Sequence, residues 1–285
     1  GNGPTATGAQ NDFSPPQAIT GDVGCSNTNS LVLMPLGLMF QSNKGIYLLD
    51  RSLSTVYIGA EVEAYNDLTI TSAELIRDEN QIRYLTSDGR CLIYDYFYGK
   101  WSTWTNHEGN GATIWNANGN YVYLRTDGRI FEQSSTSYKD DDDPVEMSLT
   151  TSWVKTNGIQ GFQRIRRAFV LGDFKSDHTL QLEIGYDYQD YFNEIHRFNF
   201  IDDLEVVEYG DSTPYGAEAY YGSDSGNDNV YQFRAHCKKQ KCQSGRFRIS
   251  DTEEANAGQA FSISSLMLEI GIRGNTMKLP AAKLK

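Results

Sequence analysis

Trp101 and Trp104 close a stretch, residues 86 to 105, that reads TSDGRCLIYDYFYGKWSTWT. Tyr94, Tyr96, Phe97 and Tyr98 precede them closely, so six aromatic rings fall within eleven positions. Rings at that density suit two kinds of chemistry. They stack on flat ligands such as bases or the apolar faces of sugars, or they pack a half-buried β surface. An exposed Trp101/Trp104 pair is the candidate platform for glycan stacking.

The other reactive side chains are dispersed. His107, His178, His196 and His236 lack the spacing of metal ligands and read as surface or strand-packing residues. No nucleophile elbow, phosphate-binding loop or H-E-x-x-H motif occurs. Asp202, Asp203, Glu205 and Glu208 cluster in an acidic, Gly- and Tyr-rich stretch, 201–228. A glycosidase pair must be held at a defined separation across the scissile bond, and no element recognisable there would hold one. The expectation is a protein that is not an enzyme and carries no cofactor.

Cys25, Cys91, Cys237 and Cys242 are too few for a disulfide scaffold and read as reduced thiols. Cys237 and Cys242 flank KKQK, a loop that could bring them face to face across strands, so an oxidising medium would allow a disulfide there. A zinc site needs four ligands, and only His236 stands near that pair. Asp140 to Asp143 precede Pro144. Consecutive aspartates in a strand point to opposite faces, which suits a solvated linker better than a calcium site.

The formal charge is -12, from 37 acidic and 25 basic residues. No dense Lys/Arg patch marks a nucleic-acid footprint, and no apolar run is long enough to span a membrane. The one locally basic strand is GFQRIRRAFVLGDFKS. Strict alternation puts Arg164 and Arg166 on one face and Arg167 on the other. Such a stripe reads either as a solvated sheet face or as a subunit contact that pairs with carboxylates, for which Asp202, Asp203, Glu205 and Glu208 of a neighbouring copy are the natural partners.

The elements that would position these residues follow from a repeat. GLMFQSNKGIYLLD, QIRYLTSDGRCLIYD and YVYLRTDGRIFEQ align on Gly45, Gly89 and Gly128, 44 and then 39 residues apart. Large apolar residues recur at every second position before each glycine, giving strand, tight turn, strand. A third strand follows in STVYIGA and KWSTWTN. On this reading Tyr94, Phe97, Trp101 and Trp104 fall on the second and third strands of one unit. A period near 40 with three or four short strands is the mark of propeller blades.

The pattern changes after Tyr138. Longer alternating segments follow, including Leu180, Leu182, Ile184 and Tyr186 on one face. They predict a β-sandwich or jelly roll of six to eight strands. The expected organisation of this all-β chain is a flexible lead-in or the end of an upstream blade at 1–30, propeller-like blades at 31–138, an acidic linker at 139–144 and a sandwich at 145–285.

The segments GLMFQSNKGIYLLDRSLSTVYIGAEVEAYN, TTSWVKTNGIQGFQRIRRAFVLGDFKSDHTLQLEIGYDY, YQFRAHCKKQKCQSGRFRISD and LEIGIRGNTMKLPAAK, in that order, resemble the C-terminal part of propeller-containing tail nozzle or hub proteins of short-tailed bacteriophages. The resemblance implies a virion structural protein assembled in the host cytoplasm. It implies a homo-oligomeric ring, often sixfold, around the DNA exit channel, with other tail, portal or adaptor proteins as neighbours. Duplex DNA would pass without tight binding. Two other classes stand beside it: a carbohydrate-binding or adhesin module using Trp101 and Trp104, and a propeller scaffold for protein interaction.

Overall fold

The computed structural model describes residues 18–19, 22–141, 143–156, 161–176, 178–199, 230–239, 241–251, 258 and 260–276. These fall in two compact units, Gly1–Ser135 and Thr136–Lys285.

In the first unit, β1 (Asn27–Met34), β2 (Gly37–Ser42), β3 (Gly45–Asp50) and β4 (Thr55–Tyr57) form an antiparallel sheet in chain order. A short 3₁₀ segment, Gly59–Tyr65, leads to the next sheet. There β5 (Ile70–Ile76), β6 (Gln81–Thr86), β7 (Cys91–Asp95) and β8 (Lys100–Trp104) repeat the arrangement. A third sheet holds β9 (Gly109–Ile114), β10 (Tyr121–Arg125) and β11 (Ile130–Glu132). Gly45, Gly89 and Gly128 all have positive φ, at 115°, 85° and 87°.

Each glycine hairpin follows a strand that the repeat does not single out: β1, β5 and β9. These are the strands through which the sheets meet, since β5 packs on both β1 and β9. Their cross-links are polar. Asn27 Nδ2 donates to the Ile70 carbonyl at 2.7 Å, and Thr71 Oγ1 donates to the Gly109 carbonyl at 2.7 Å. Apolar side chains fill the rest of the space between sheets, Val32 and Met34 of β1 and Ile70 and Ile76 of β5 among them. Met39, Ile46, Ile82, Tyr84 and Leu92 form one cluster, and Leu85, Cys91, Ile93, Tyr121 and Tyr123 another.

The aromatic stretch differs from its expected placement at Phe97. The Asp95 carboxylate accepts from the backbone N–H groups of Phe97 and Tyr98, at 2.9 and 3.0 Å. That turn chemistry lifts both rings off the sheet into solvent, where they meet edge to face. With β5 in front of the hairpin, Tyr94 and the two tryptophans lie on the third and fourth strands.

In the second unit the acidic run is not a plain linker. β12 (Lys139–Asp140) and β13 (Asp143–Pro144) pair as a small hairpin. β14 (Ser148–Thr150), β15 (Gly161–Phe174), β16 (Thr179–Tyr186), β17 (Glu194–Asn199), β18 (Val230–His236), β19 (Gly245–Asp251) and β20 (Phe261–Thr276) follow. They form two antiparallel sheets, ordered β14-β19-β16-β17 and β18-β15-β20. One core draws on both. Leu180, Leu182, Ile184 and Tyr186 are fully buried with Ile165, Val170, Phe174 and Phe247. Each such aliphatic side chain contributes about 1.5–3 kcal/mol relative to exposure. The chain is thus nearly all-β, built of open antiparallel sheets, and none of those among the described residues closes on itself.

Glu194 organises the loop after β18. Its buried carboxylate accepts the Tyr186 hydroxyl at 3.0 Å and the backbone N–H groups of Lys238 and Lys239 at 2.8 and 2.9 Å. Cys237 and Cys242 flank this loop as separate buried thiols. Burial pushes both up to about 11, which keeps them protonated at neutral pH.

Candidate functional surface on the three-stranded sheet

β15 departs from alternation at one place. Its pairing with β20 runs Ile165 to Ile270 and then Arg167 to Glu269, so Arg166 is an extra residue in a β-bulge. Before the bulge the odd positions Gln163 and Ile165 are buried; after it the even positions Ala168, Val170 and Phe174 are. The bulge therefore overturns the expected split of the arginines. Arg167 lies on the same outward face as Arg164, with Arg166 between them.

The neighbouring strands extend this face. Arg167 stands opposite His236 on β18, and Phe169 stands opposite Arg234. Gln232, Arg234 and His236 are exposed, while Phe233 and Ala235 point into the core. On β20, Glu269 lies 3.8 Å from Arg166 and 3.5 Å from Arg167, and all three side chains are well exposed. Met267 is exposed beside Phe169. Lys241 places its ammonium 4.4 Å from the centre of the Phe162 ring. The face thus combines cations with accessible apolar groups. Guanidinium groups in that setting pair with carboxylates in two-pronged geometry and stack on aromatic rings. Asp202, Asp203, Glu205 and Glu208, the expected carboxylate partners, lie outside the described residues.

Trp101 and Trp104 are not brought together. Three residues apart on β8, they point to opposite sides of the sheet. Trp101 packs with Tyr84 and Tyr94 and donates its indole N–H to the Ile58 carbonyl at 2.8 Å. Trp104 packs with the third sheet's cluster and lies beneath the Arg83 guanidinium. Each ring is half-buried in a different layer, so no shared stacking platform exists.

The second unit also joins two residues that nothing in the sequence connects. His178 Nδ1 lies 2.6 Å from Asp251 Oδ2, with both side chains 5% exposed. The pair borders a cavity of about 320 Å³ lined also by Tyr138, Val145, Met147 and Phe261. No signal marks it in advance, because the partners stand 73 positions apart, His178 just before β16 and Asp251 at the end of β19. Among the described residues, no group of three or more His, Cys, Asp or Glu side chains is placed to hold a metal ion. No helix there is long and apolar enough to cross a membrane.

No protein-family model matches the chain, and no curated protein matches it significantly.

Proposed function

We propose that the chain is a structural protein of a bacteriophage tail, a nozzle or hub component that assembles as a ring around the DNA exit channel. The sheets of the first unit are read as successive propeller blades, and the two sheets of the second as a β-sandwich. One observation carries the assembly reading: Arg164, Arg166, Arg167 and Arg234 share one outward face on a chain whose formal charge is -12. A cationic, partly apolar sheet face on an acidic protein suits contact with an acidic neighbour. Asp202, Asp203, Glu205 and Glu208 of a second copy are the partner this reading favours. The phage assignment itself rests on the sequence resemblance.

Native mass spectrometry with negative-stain imaging tests the reading. A closed ring is expected, six copies being the order that the resemblance suggests. A monomer at tens of micromolar, with no ring in the images, would reject it.

A further inference from the structure

The outward face of the four-stranded sheet carries a second cationic cluster, built unlike the first. Phe247 and Ile249 of β19 enter the core, so Arg246 and Arg248 face away from it. Arg246 stands opposite Gly185 on β16, and Trp153 and Phe192 both reach over that glycine; a Cβ there would lie 3.7 Å from the first ring and 3.5 Å from the second. The Arg246 guanidinium lies 4.9 Å from the centre of Trp153 and 4.8 Å from that of Phe192. Arg248 lies 4.4 Å from the same Phe192 ring and pairs with Glu183. Tyr188 continues the row, its ring 5.1 Å from that of Trp153. Among the described residues Arg246 has no carboxylate partner, and its hydrogen bond is a long one, from Nη2 to the Asp190 carbonyl at 3.4 Å. Nε is its buried, unpaired nitrogen, which leaves Nη1 to solvent.

Tyr188 is held in place against its own preference. Asp187 and Tyr188 are both left-handed, with φ of 57° and 61°, and the Gln189 N–H donates to the Tyr186 carbonyl at 3.2 Å. Such a turn favours glycine at its second central position. Asp187 is pinned there by Lys239 Nζ and by the Gln243 N–H, each at 2.6 Å. Tyr188 instead presents its ring, and it is 52% exposed. Strain that holds an aromatic ring out in solvent is a mark of function.

We propose that this row is a binding site for a carboxylated oligosaccharide, a chain of uronic-acid type. Tyr188 takes the apolar C–H face of a sugar ring, and Arg246 Nη1 and the Arg248 guanidinium, whose side chain is 38% exposed, donate to carboxylates. β19 and β16 are interior strands, with β14 and β17 outside them. Their backbone groups are already paired within the sheet, so an extended peptide finds no edge to join. Ring faces and guanidinium forks remain, and a rigid sugar bearing a carboxylate uses both with little ordering cost. Arg164 and Arg167 lie outside the other sheet of the shared core, so the site does not depend on assembly of the ring.

The probe is tetragalacturonate, titrated calorimetrically into the full chain. Its methyl ester keeps the rings and removes the charge; tetraglutamate keeps the charge and removes the rings. Each control should bind at least about tenfold more weakly. Tyr188→Gly should lose about tenfold in affinity for tetragalacturonate without lowering the melting temperature, because glycine relieves the turn. Arg246→Gln should bind the acid and the ester alike; if that variant does not fold, Tyr188→Gly still decides. The double variant Arg164→Glu/Arg167→Glu should bind tetragalacturonate as the wild type does, so loss of the ring and loss of this site are separate results. Equal affinity for acid and ester would overturn the proposal. Equal affinity for tetraglutamate would also overturn it and assign the face to acidic peptides. So would no binding at millimolar tetragalacturonate, loss of binding in the double variant, or a Tyr188→Gly chain that binds as the wild type does. A Tyr188→Gly chain that melts well below the wild type would show the ring to be packing, and would overturn it too.

Discussion

The Arg83 guanidinium lies 4.6 Å from the centre of the Tyr121 ring, joining the second sheet of the first unit to the third. Trp104 lies at 4.5 Å from the same guanidinium. Glu79 and Gln133 accept from its nitrogens at 2.5 and 2.6 Å, and Gln133 in turn donates to Glu79 at 2.9 Å. The Arg83 side chain is fully buried, yet Glu79 is 38% exposed. A buried cation is tolerated here because aromatic rings and hydrogen-bond acceptors replace its water.

Arg83→Ala should therefore cost about 3–5 kcal/mol, because it empties a packed site and strands the acceptors. Arg83→Met should cost less. It refills the volume, and Glu79 can turn to solvent. Urea unfolding of the two variants checks the order. Equal losses would mean that charge, and not packing, holds the two sheets together.

The turn glycines offer a cleaner contrast. Gly89 and Gly128 have nearly the same φ. A Cβ on Gly89 would stand 2.6 Å from Glu108 Cγ, whereas one on Gly128 would meet nothing within 4 Å. Gly89→Val should lose about 1–3 kcal/mol through strain plus the clash. Gly128→Val should lose less, through strain alone. Thermal melts decide it, and equal losses would show that the flexible Glu108 side chain simply moves aside.

Alkaline pH should weaken the fold. Burial pushes Cys91 up to about 12, and Cys237 and Cys242 to about 11. Desolvation likewise raises the phenols of Tyr84, Tyr121 and Tyr186. For each group the folded chain holds its proton to higher pH than the unfolded chain does. The stabilisation is complete below the unfolded value, about 9 for a thiol, and is lost as pH rises toward the folded value. Urea midpoints at pH 8, 9, 10 and 10.5 should fall progressively above pH 9. A flat profile over that range would show that water reaches these groups in the native state.

Much of the first unit was legible in the sequence because turn chemistry is local. Gly45, Gly89 and Gly128 announce their hairpins whatever surrounds them. β5 and β9 were not legible, because the large apolar residues of ITSAELI stand at its ends without strict alternation and GNGATI carries only Ile114. They bring backbone near backbone at Ile70 and Gly109, and only the neighbouring sheet reveals that. Alternation correctly grouped Leu180 to Tyr186 on one face. It failed at Arg167 because a bulge depends on the partner strand: the count of residues on β20 sets the phase on β15. Arg83 escaped notice for a related reason. An arginine between Ile82 and Tyr84 reads as an outward residue until the third sheet covers it.

The last prediction concerns the outward arginines and DNA. Four guanidinium groups on one face could grip phosphates, and a protein that neutralises several phosphates binds with steep salt dependence. The composition argues otherwise. With 37 acidic against 25 basic residues, the long-range field of the chain opposes a polyanion, over a Debye length of about 8 Å at physiological salt. Glu269 already stands within 4 Å of both Arg166 and Arg167. A channel component must also let the duplex slide, so the proposed role turns the arginines toward neighbouring subunits. The expected outcome is negligible affinity for a 30-base-pair duplex at physiological salt. The double variant Arg164→Glu/Arg167→Glu should keep the wild-type unfolding free energy within about 1 kcal/mol, because both side chains lie on the outward face. In native mass spectra it should nonetheless lose the ring. Fluorescence anisotropy with the duplex provides the opposing test. Sub-micromolar binding that collapses with added salt, and that disappears in the double variant, would assign this face to gripping DNA and not to holding the ring.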